Sequence, residues 1–362
     1  MKAMVLNNIA DLLEESSPLH LVELPVPEPN EGEVLVKVSA CGVCHTELDE
    51  IEGRTPPPLF PVILGHQVVG HVVKQGKNAG KYSIGDRVGI AWIFSSCGKC
   101  HYCLSGNDNL CPEFMATGRD RNGGYAEYMT VPEKFAHPVP EVFTDEQAAP
   151  LLCAGAIGYR SLKLAIPTPC PLPQSYPPPA PSLEREGERG VGTLGLTGFG
   201  ASAHLVLKMA RYKFPGIRIY VFARSEEERK FAIGLGAVWA GDSTDESPEK
   251  LDAIIDTTPV WKTVVEALKN LKPGGRLVIN AIRKENIDKE YLLNIDYPIH
   301  LWMEKEIKSV ANVALNDVRE FLQLASEIPV IPEIQVYPLE EANKALMELK
   351  NQKIRGAKVL VI

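Results

Sequence analysis

The spacing of apolar residues changes character near residue 190. Before it, short runs of β-branched residues are broken by glycine and proline, as in Glu33–Ser39, Gln67–Lys74, Asp86–Ile90 and Tyr125–Val131. Such runs predict the strands of a β-rich lobe. From residue 191 apolar strands alternate with amphipathic helices: strand Val191–Leu196, helix Ala203–Arg211, strand Ile217–Phe222, helix Glu226–Leu235, strand Leu251–Ile255, helix Val260–Leu271 and strand Arg276–Ile282. That alternation predicts a doubly wound parallel sheet of Rossmann type, so the expected fold class is α/β with a second, β-rich domain. The first helix sets Ala203, Val206, Leu207 and Ala210 on one stripe, the spacing of a face packed on a sheet. Residues 316–362 add two helical patterns and an apolar strand, Lys358–Ile362, expected to return to the first lobe.

One segment fits neither pattern. Residues 166–181 hold eight prolines, and the charged run Leu183–Arg189 follows. Proline at that density excludes helix and central strand and leaves polyproline II or an irregular loop. The segment 166–189 therefore reads as an exposed insertion, with a proline-rich partner ligand as the alternative.

Composition narrows the classes of function. A chain of 362 residues predicts two domains, and 45% hydrophobic with 23% charged residues is ordinary for a globular protein. The formal charge of -8 offers no attraction to nucleic acid or to anionic lipid, so neither is an expected partner. Acidic residues interrupt the first thirty positions, where a secretory signal needs an apolar core, and no apolar run reaches the ~18 residues of a membrane span. A cytoplasmic protein is expected.

The eight cysteines are clustered, which in a long cytoplasmic chain points to metal rather than to disulfides. Cys97-Gly-Lys-Cys100-His-Tyr-Cys103 followed by Cys111 offers four thiolates for a closed tetrahedral zinc site. Iron–sulfur ligation also uses four thiolates, but the spacing and the lack of a second cluster favour zinc. His101 lies inside this loop and reads as solvated. Upstream, Cys41-Gly-Val-Cys44-His45-Thr46 precedes Gly65-His66-Gln67, and Leu152-Cys153-Ala154 comes later. Two thiolates and one imidazole would give zinc with an open fourth position, the arrangement of Lewis-acid catalysis, although each residue alone is as readily core. The third motif, Gly198-Phe199-Gly200-Ala201-Ser202-Ala203, stands between a predicted strand and helix and matches a dinucleotide fingerprint with alanine at the third small position.

Together these constellations resemble the zinc-containing medium-chain alcohol dehydrogenases, closest to the bacterial and cinnamyl-alcohol-type branches, over nearly the whole chain outside the proline-rich segment. The resemblance implies a GroES-like catalytic domain over residues 1–153 and 313–362 and a dinucleotide-binding domain over 154–312. It implies two zinc ions per chain, a catalytic one on Cys44, His66 and Cys153 and a structural one on Cys97, Cys100, Cys103 and Cys111. Cys41 is then a small core residue and Cys170 an exposed thiol of the insertion. The implied reaction is reversible hydride transfer between a primary alcohol or aldehyde, aromatic or long-chain ones included, and NAD or NADP. The implied assembly is a homodimer or homotetramer. Thr46 matches the hydroxyl that bonds the reacting oxygen and starts the proton path, and His45 the residue that meets the cofactor pyrophosphate. Three positions depart from the family pattern: Gln67 replaces the glutamate after the zinc histidine, Glu47 replaces an aspartate that orients it, and Asp49 stands where relatives place a relay histidine, as the candidate to finish the proton relay if it reaches the cofactor ribose.

Cofactor preference turns on Val221-Phe222-Ala223-Arg224-Ser225, at the end of the second βαβ strand. An NAD enzyme places a carboxylate there for the ribose hydroxyls, and Ala223 supplies none. Gly198, Gly200 and Ala203 form the expected turn, and Arg224 with Ser225 is expected to hold a 2′-phosphate, helped by Arg229, so NADP is favoured over NAD. A solvated Arg224 is the alternative. Trp92, Phe94, Phe114 and Trp302 are candidates for the substrate pocket and equally for the core. Alternative functions are a polyol dehydrogenase, a reductase of the same superfamily, or a catalytically weak dinucleotide-binding zinc protein.

Overall fold

The computed structural model describes residues 1–166, 192–328, 330–351 and 356–362. Pro167–Arg189 of the expected insertion, with Cys170, lie outside them. Contacts divide the chain into two units, Met1–Ile157 with Ala311–Ile362, and Gly158–Val310.

The first unit begins with β1 (Lys2–Leu6), β2 (Leu19–Glu23), β3 (Glu33–Val43), α1 (His45–Ile51), β4 (Val62–Ile63), β5 (Val68–Gln75) and β6 (Arg87–Ile90). It continues through β7 (Ile93–Ser95), α2 (His101–Leu104), β8 (Met115–Ala116), β9 (Tyr128–Pro132), β10 (Ala136–Pro138), α3 (Asp145–Pro150) and a π-helical turn, Leu151–Gly155. Then α4 (Ala156–Ala165) crosses the boundary between the units. The main sheet has the order β10-β6-β5-β3-β18-β17, with β9 also on β3, where β17 (Ile334–Pro338) and β18 (Ala357–Val361) come from the far end of the chain. The long β3 organises it. Its first half pairs with β9, its second half, Ala40–Val43, with β18, and β5 lies along its other edge. The expected strand stopped at Ser39, because Cys41 and Gly42 break the β-branched run; pairing with β18 carries it to Val43. Val34, Val36, Ala40 and Cys41 are fully buried, so this strand is core and ends directly at Cys44.

His137 in β10 is 3% exposed. Burial, reinforced by the nearby cations of Lys81 and Arg319, pushes its pKa down to about 3. The folded imidazole is neutral, whereas the unfolded one titrates near ~6.5, so the unfolded chain binds the additional proton between these values. Stability from this site is therefore lost as pH falls from about 6.5 towards 3. Between pH 7 and pH 5 the wild type is expected to lose about 2 kcal/mol more than a His137→Leu protein. Equal losses in urea unfolding of the two proteins would contradict this.

The second unit is a six-stranded parallel sheet of order β13-β12-β11-β14-β15-β16. Its elements are β11 (Thr193–Thr197), α5 (Ala201–Lys213), β12 (Arg218–Phe222), α6 (Glu226–Gly234), β13 (Trp239–Gly241), β14 (Leu251–Asp256), α7 (Trp261–Lys269), β15 (Leu271–Ile279), α8 (Tyr297–His300) and β16 (Glu306–Ser309). The sheet reverses its order beside β11, the topological switch of a doubly wound fold. Ala203, Val206, Leu207 and Ala210 of α5 are all fully buried. Two edge strands, β13 and β16, were not expected, since they carry no apolar run; every residue of β16 is exposed. In the first unit, α9 (Leu315–Glu327) and α10 (Ala342–Lys350) complete the set.

Candidate active site

The loop from Ser96 to Cys111 gathers four thiols. Cys97 and Cys103 Sγ are 3.9 Å apart, Cys100 and Cys103 Sγ 3.5 Å, and all four sulfurs, Cys111 included, lie within 4.8 Å of one another. Tetrahedral zinc with bonds of ~2.3 Å would separate its sulfurs by about 3.8 Å, so the set fits that ion. All four are free of disulfides. Backbone amides point at the sulfurs: Cys100 N–H donates to Cys97 Sγ at 3.4 Å, Cys97 N–H to Cys111 Sγ at 3.4 Å and Glu113 N–H to Cys111 Sγ at 3.3 Å. Amide donors from Lys99 and Cys100 hold the Cys97 thiol down, to about 6. Cys103 is lowered as well, its burial outweighed by donors, whereas burial pushes Cys111 up to about 11, so a cation bound by all four sulfurs must displace a proton there. His101 sits exposed at the start of α2, outside the four-sulfur set.

The second constellation lies where β3 runs into α1. Cys44 is the N-cap of α1, its sulfur accepting Thr46 N–H at 3.3 Å. His66 follows Gly65, whose φ of +96° and contact with the Tyr125 ring leave no room for a side chain. Cys153 comes from the π-helical turn, a form of backbone that recurs at functional sites. Cys44, His66 and Cys153 bring their ligand atoms within 4.8 Å of one another, with Cys44 Sγ 3.9 Å from His66 Nε2. Cys41 is fully buried and stands apart from this set.

Glu47 links the cap to the ligand. One carboxylate oxygen accepts Cys44 N–H at 2.8 Å, and the other is 2.6 Å from His66 Nδ1, which leaves Nε2 facing the sulfur. The longer side chain thus still reaches the imidazole. Burial works against a charged His66, but the charge of Glu47 and the Cys44 sulfur outweigh it and raise the imidazole well above its usual range. Cys44 is raised as well, by its hydrogen bond with Cys153 and by burial, so a cation entering here must displace protons. Thr46 is 5% exposed, its hydroxyl 3.4 Å from Cys44 Sγ. Asp49 is 2% exposed and accepts Arg54 Nε at 2.5 Å, which ties its carboxylate to the end of α1. His45 is exposed on the first residue of α1, and the Gln67 side chain packs on Gly42.

In the second unit the glycine motif forms the turn from β11 to α5. Gly198 has φ +74°, donates its N–H to Phe222 O at 2.8 Å and abuts Thr257 and Thr258, while Gly200 caps α5 with open space where a Cβ would stand. Ala203 packs beneath, fully buried. Arg224 is exposed. Ser225 is the N-cap of α6, its oxygen accepting Glu228 N–H at 3.1 Å, and Arg229 fastens the loop by donating to Ala223 O at 2.7 Å and Arg224 O at 2.9 Å. A buried charge cluster with no local signature in the sequence lies at the same strand ends. Asp256, fully buried, is ion-paired with Lys284 and accepts the hydroxyls of Thr197 at 2.5 Å, Thr258 at 2.9 Å and Thr263 at 3.0 Å.

Residues 30–141 match the family model described as the alcohol dehydrogenase GroES-like domain. A "Probable alcohol dehydrogenase AdhA" of Mycobacterium tuberculosis is 41% identical over 353 residues, 96% of this chain and 94% of that protein. The chain belongs to the zinc-containing medium-chain alcohol dehydrogenases. An alcohol dehydrogenase of Geobacillus stearothermophilus is 33% identical over 99% of this chain and 98% of its own length. Among solved medium-chain alcohol dehydrogenases, a cinnamyl alcohol dehydrogenase from Sorghum bicolor superposes with a TM-score of 0.77 at 26% identity, over 99% of this chain and 97% of that one. Among the described residues no helix is long and apolar enough to cross a membrane.

Proposed function

We propose that the protein is a zinc-dependent alcohol dehydrogenase that moves hydride reversibly between a primary alcohol and NADP. The observation that carries this reading is the three-ligand set of Cys44, His66 and Cys153 with Glu47 on the far side of the imidazole. Cys44, His66 and Cys153 would hold zinc with three ligands and so would leave a position for substrate, unlike the closed four-thiolate set. Zinc held there supplies Lewis acidity, which lowers the pKa of an alcohol towards neutrality. Glu47 fixes the imidazole tautomer and ring plane. Thr46 offers a hydroxyl beside the Cys44 sulfur, suited to take up and pass on the alcohol proton. The turn Gly198–Gly200 and the N-terminus of α5 suit a pyrophosphate, since the amides there have no partner within the helix. Cys97, Cys100, Cys103 and Cys111 would hold a second zinc, which would fix their loop.

Metal analysis together with NADP and NAD reduction over a panel of primary alcohols tests this. Two zinc ions per chain with alcohol-dependent reduction support the reading. One zinc and no turnover would overturn it in favour of a catalytically weak zinc protein. For the cofactor, exposed Arg224 and the absence of a carboxylate at Ala223 support NADP. Arg224→Ala is expected to reduce the NADP-to-NAD preference in kcat/KM by about tenfold or more, the worth of a charge-assisted hydrogen bond. An unchanged ratio would count against it.

A further inference from the structure

Within the first unit, one cation stands beside the Cys44 and His66 constellation without serving it. The segment 118–125 is laced to the chain just before His66: Gly123 N–H donates to Ile63 O at 2.7 Å, Gly124 N–H to Gly65 O at 2.9 Å and Tyr125 N–H to Leu64 O at 3.0 Å. Arg119 rides on this segment. Its guanidinium lies 5.8 Å from the centroid of Trp92, whose ring is in turn 5.1 Å from that of Phe114. The Arg119 Nε and Nη2 donate to one oxygen of Asp120, at 3.2 and 3.1 Å, and the other Asp120 oxygen is taken by Ala116 N–H at 2.7 Å. Asp120 therefore aims the fork and leaves Nη1 for another acceptor.

Two more observations bear on what that acceptor is. The indole Nε1 of Trp92 is buried with no hydrogen-bond partner among the described residues, and a buried donor left unmatched is costly unless something outside the protein meets it. Glu50, which feels the charges of Glu47, His66, Cys44 and Arg119, is 1% exposed. Burial and the neighbouring Glu47 raise its carboxyl well above the usual range. Among the described residues, Asp120 is the charged group that Arg119 meets at hydrogen-bond distance. Phe94, 5% exposed, is core, and Trp302 is 54% exposed on the other unit, so of the aromatic candidates Trp92 and Phe114 are the ones gathered around this cation.

We propose that Arg119, stacked over Trp92, is a specificity-determining residue that binds a carboxylate at the far end of the alcohol substrate. The substrate class is a hydroxy acid, or the matching aldehyde acid, with an apolar or aromatic spacer between the two groups. The planar guanidinium matches a carboxylate in geometry and in charge. The apolar faces of Trp92 and Phe114 suit the spacer. This rests on the alcohol dehydrogenase reading above and deepens it.

The test compares matched pairs on the zinc-loaded enzyme, 4-(hydroxymethyl)benzoate against benzyl alcohol and 6-hydroxyhexanoate against 1-hexanol. The wild type is expected to favour each acid in kcat/KM by at least about tenfold. Arg119→Gln should abolish that preference, chiefly through KM, while Arg119→Lys keeps part of it. The acid KM alone should rise with ionic strength. Equal or reversed preference in the wild type overturns the proposal whether or not the variants fold, and so does a preference that survives Arg119→Gln; either result leaves the dehydrogenase reading standing. Failure to oxidise any member of either pair overturns both.

Discussion

A Cys44→Ser protein is expected to carry one zinc per chain in place of two and to lose at least about three orders of magnitude in kcat/KM for primary alcohols. The fold should survive the change. In α1 the Cys44 side chain caps the helix by accepting Thr46 N–H, and a serine hydroxyl does the same work at least as well. What serine cannot replace is a soft thiolate that binds zinc at neutral pH, so the loss falls on the metal and on the chemistry that depends on it. The four-thiolate site is built from other residues and should keep its ion. Elemental analysis, steady-state kinetics and circular dichroism on the same preparation check all three statements. Two zinc ions and activity within tenfold of the wild type would remove Cys44 from the site.

The second large effect concerns stability. Lys284→Met strands the Asp256 carboxylate in the interior of the second unit, and about 3–5 kcal/mol of stability should go with it. Lys284 also donates to Thr258 O at 2.8 Å and Val260 O at 3.0 Å, so its removal frees two carbonyls as well as a charge. The double variant Asp256→Asn with Lys284→Met should be more stable than the Lys284→Met single variant, because no uncompensated charge remains. Urea unfolding of the three proteins decides it. A double variant less stable than the single one would show that the pair is not the source of the loss. Because Thr197, beside Gly198, donates to Asp256, cofactor affinity of the single variant should weaken with it.

How much of this was legible beforehand depends on the kind of signal. The strands β11, β12, β14 and β15 stood out because parallel strands buried on both faces read as nearly continuous apolar runs. The edge strand β16, Glu-Ile-Lys-Ser with every residue exposed, has no such run and exists through its pairing with β15. Both sulfur constellations were legible for different reasons. The four cysteines of one loop announce themselves by spacing, whereas Cys44, His66 and Cys153 come from three separate elements and were assembled by resemblance. Glu47, three residues after Cys44, was likewise placed by resemblance, as the counterpart of the family's aspartate. The Asp256–Lys284 pair and the stacking of Arg119 on Trp92 were not legible, since nothing local marks residues that meet only in the folded chain. Ser225 and Arg229, whose types suggested phosphate binding, also serve the start of α6, a second role that the sequence did not announce.

The place of β18 between β3 and β17 has a consequence for synthesis. Its residues Lys358–Val361 lie against Ala40–Val43, the stretch that leads into Cys44, yet they leave the ribosome only after the entire second unit has been made. Until then half of β3 presents an open, fully apolar edge, the kind that recruits strands from other chains. The nascent protein therefore passes through an interval in which this part of β3 lacks its β18 partner, and chaperone occupancy during translation should be concentrated on the segment around residue 40.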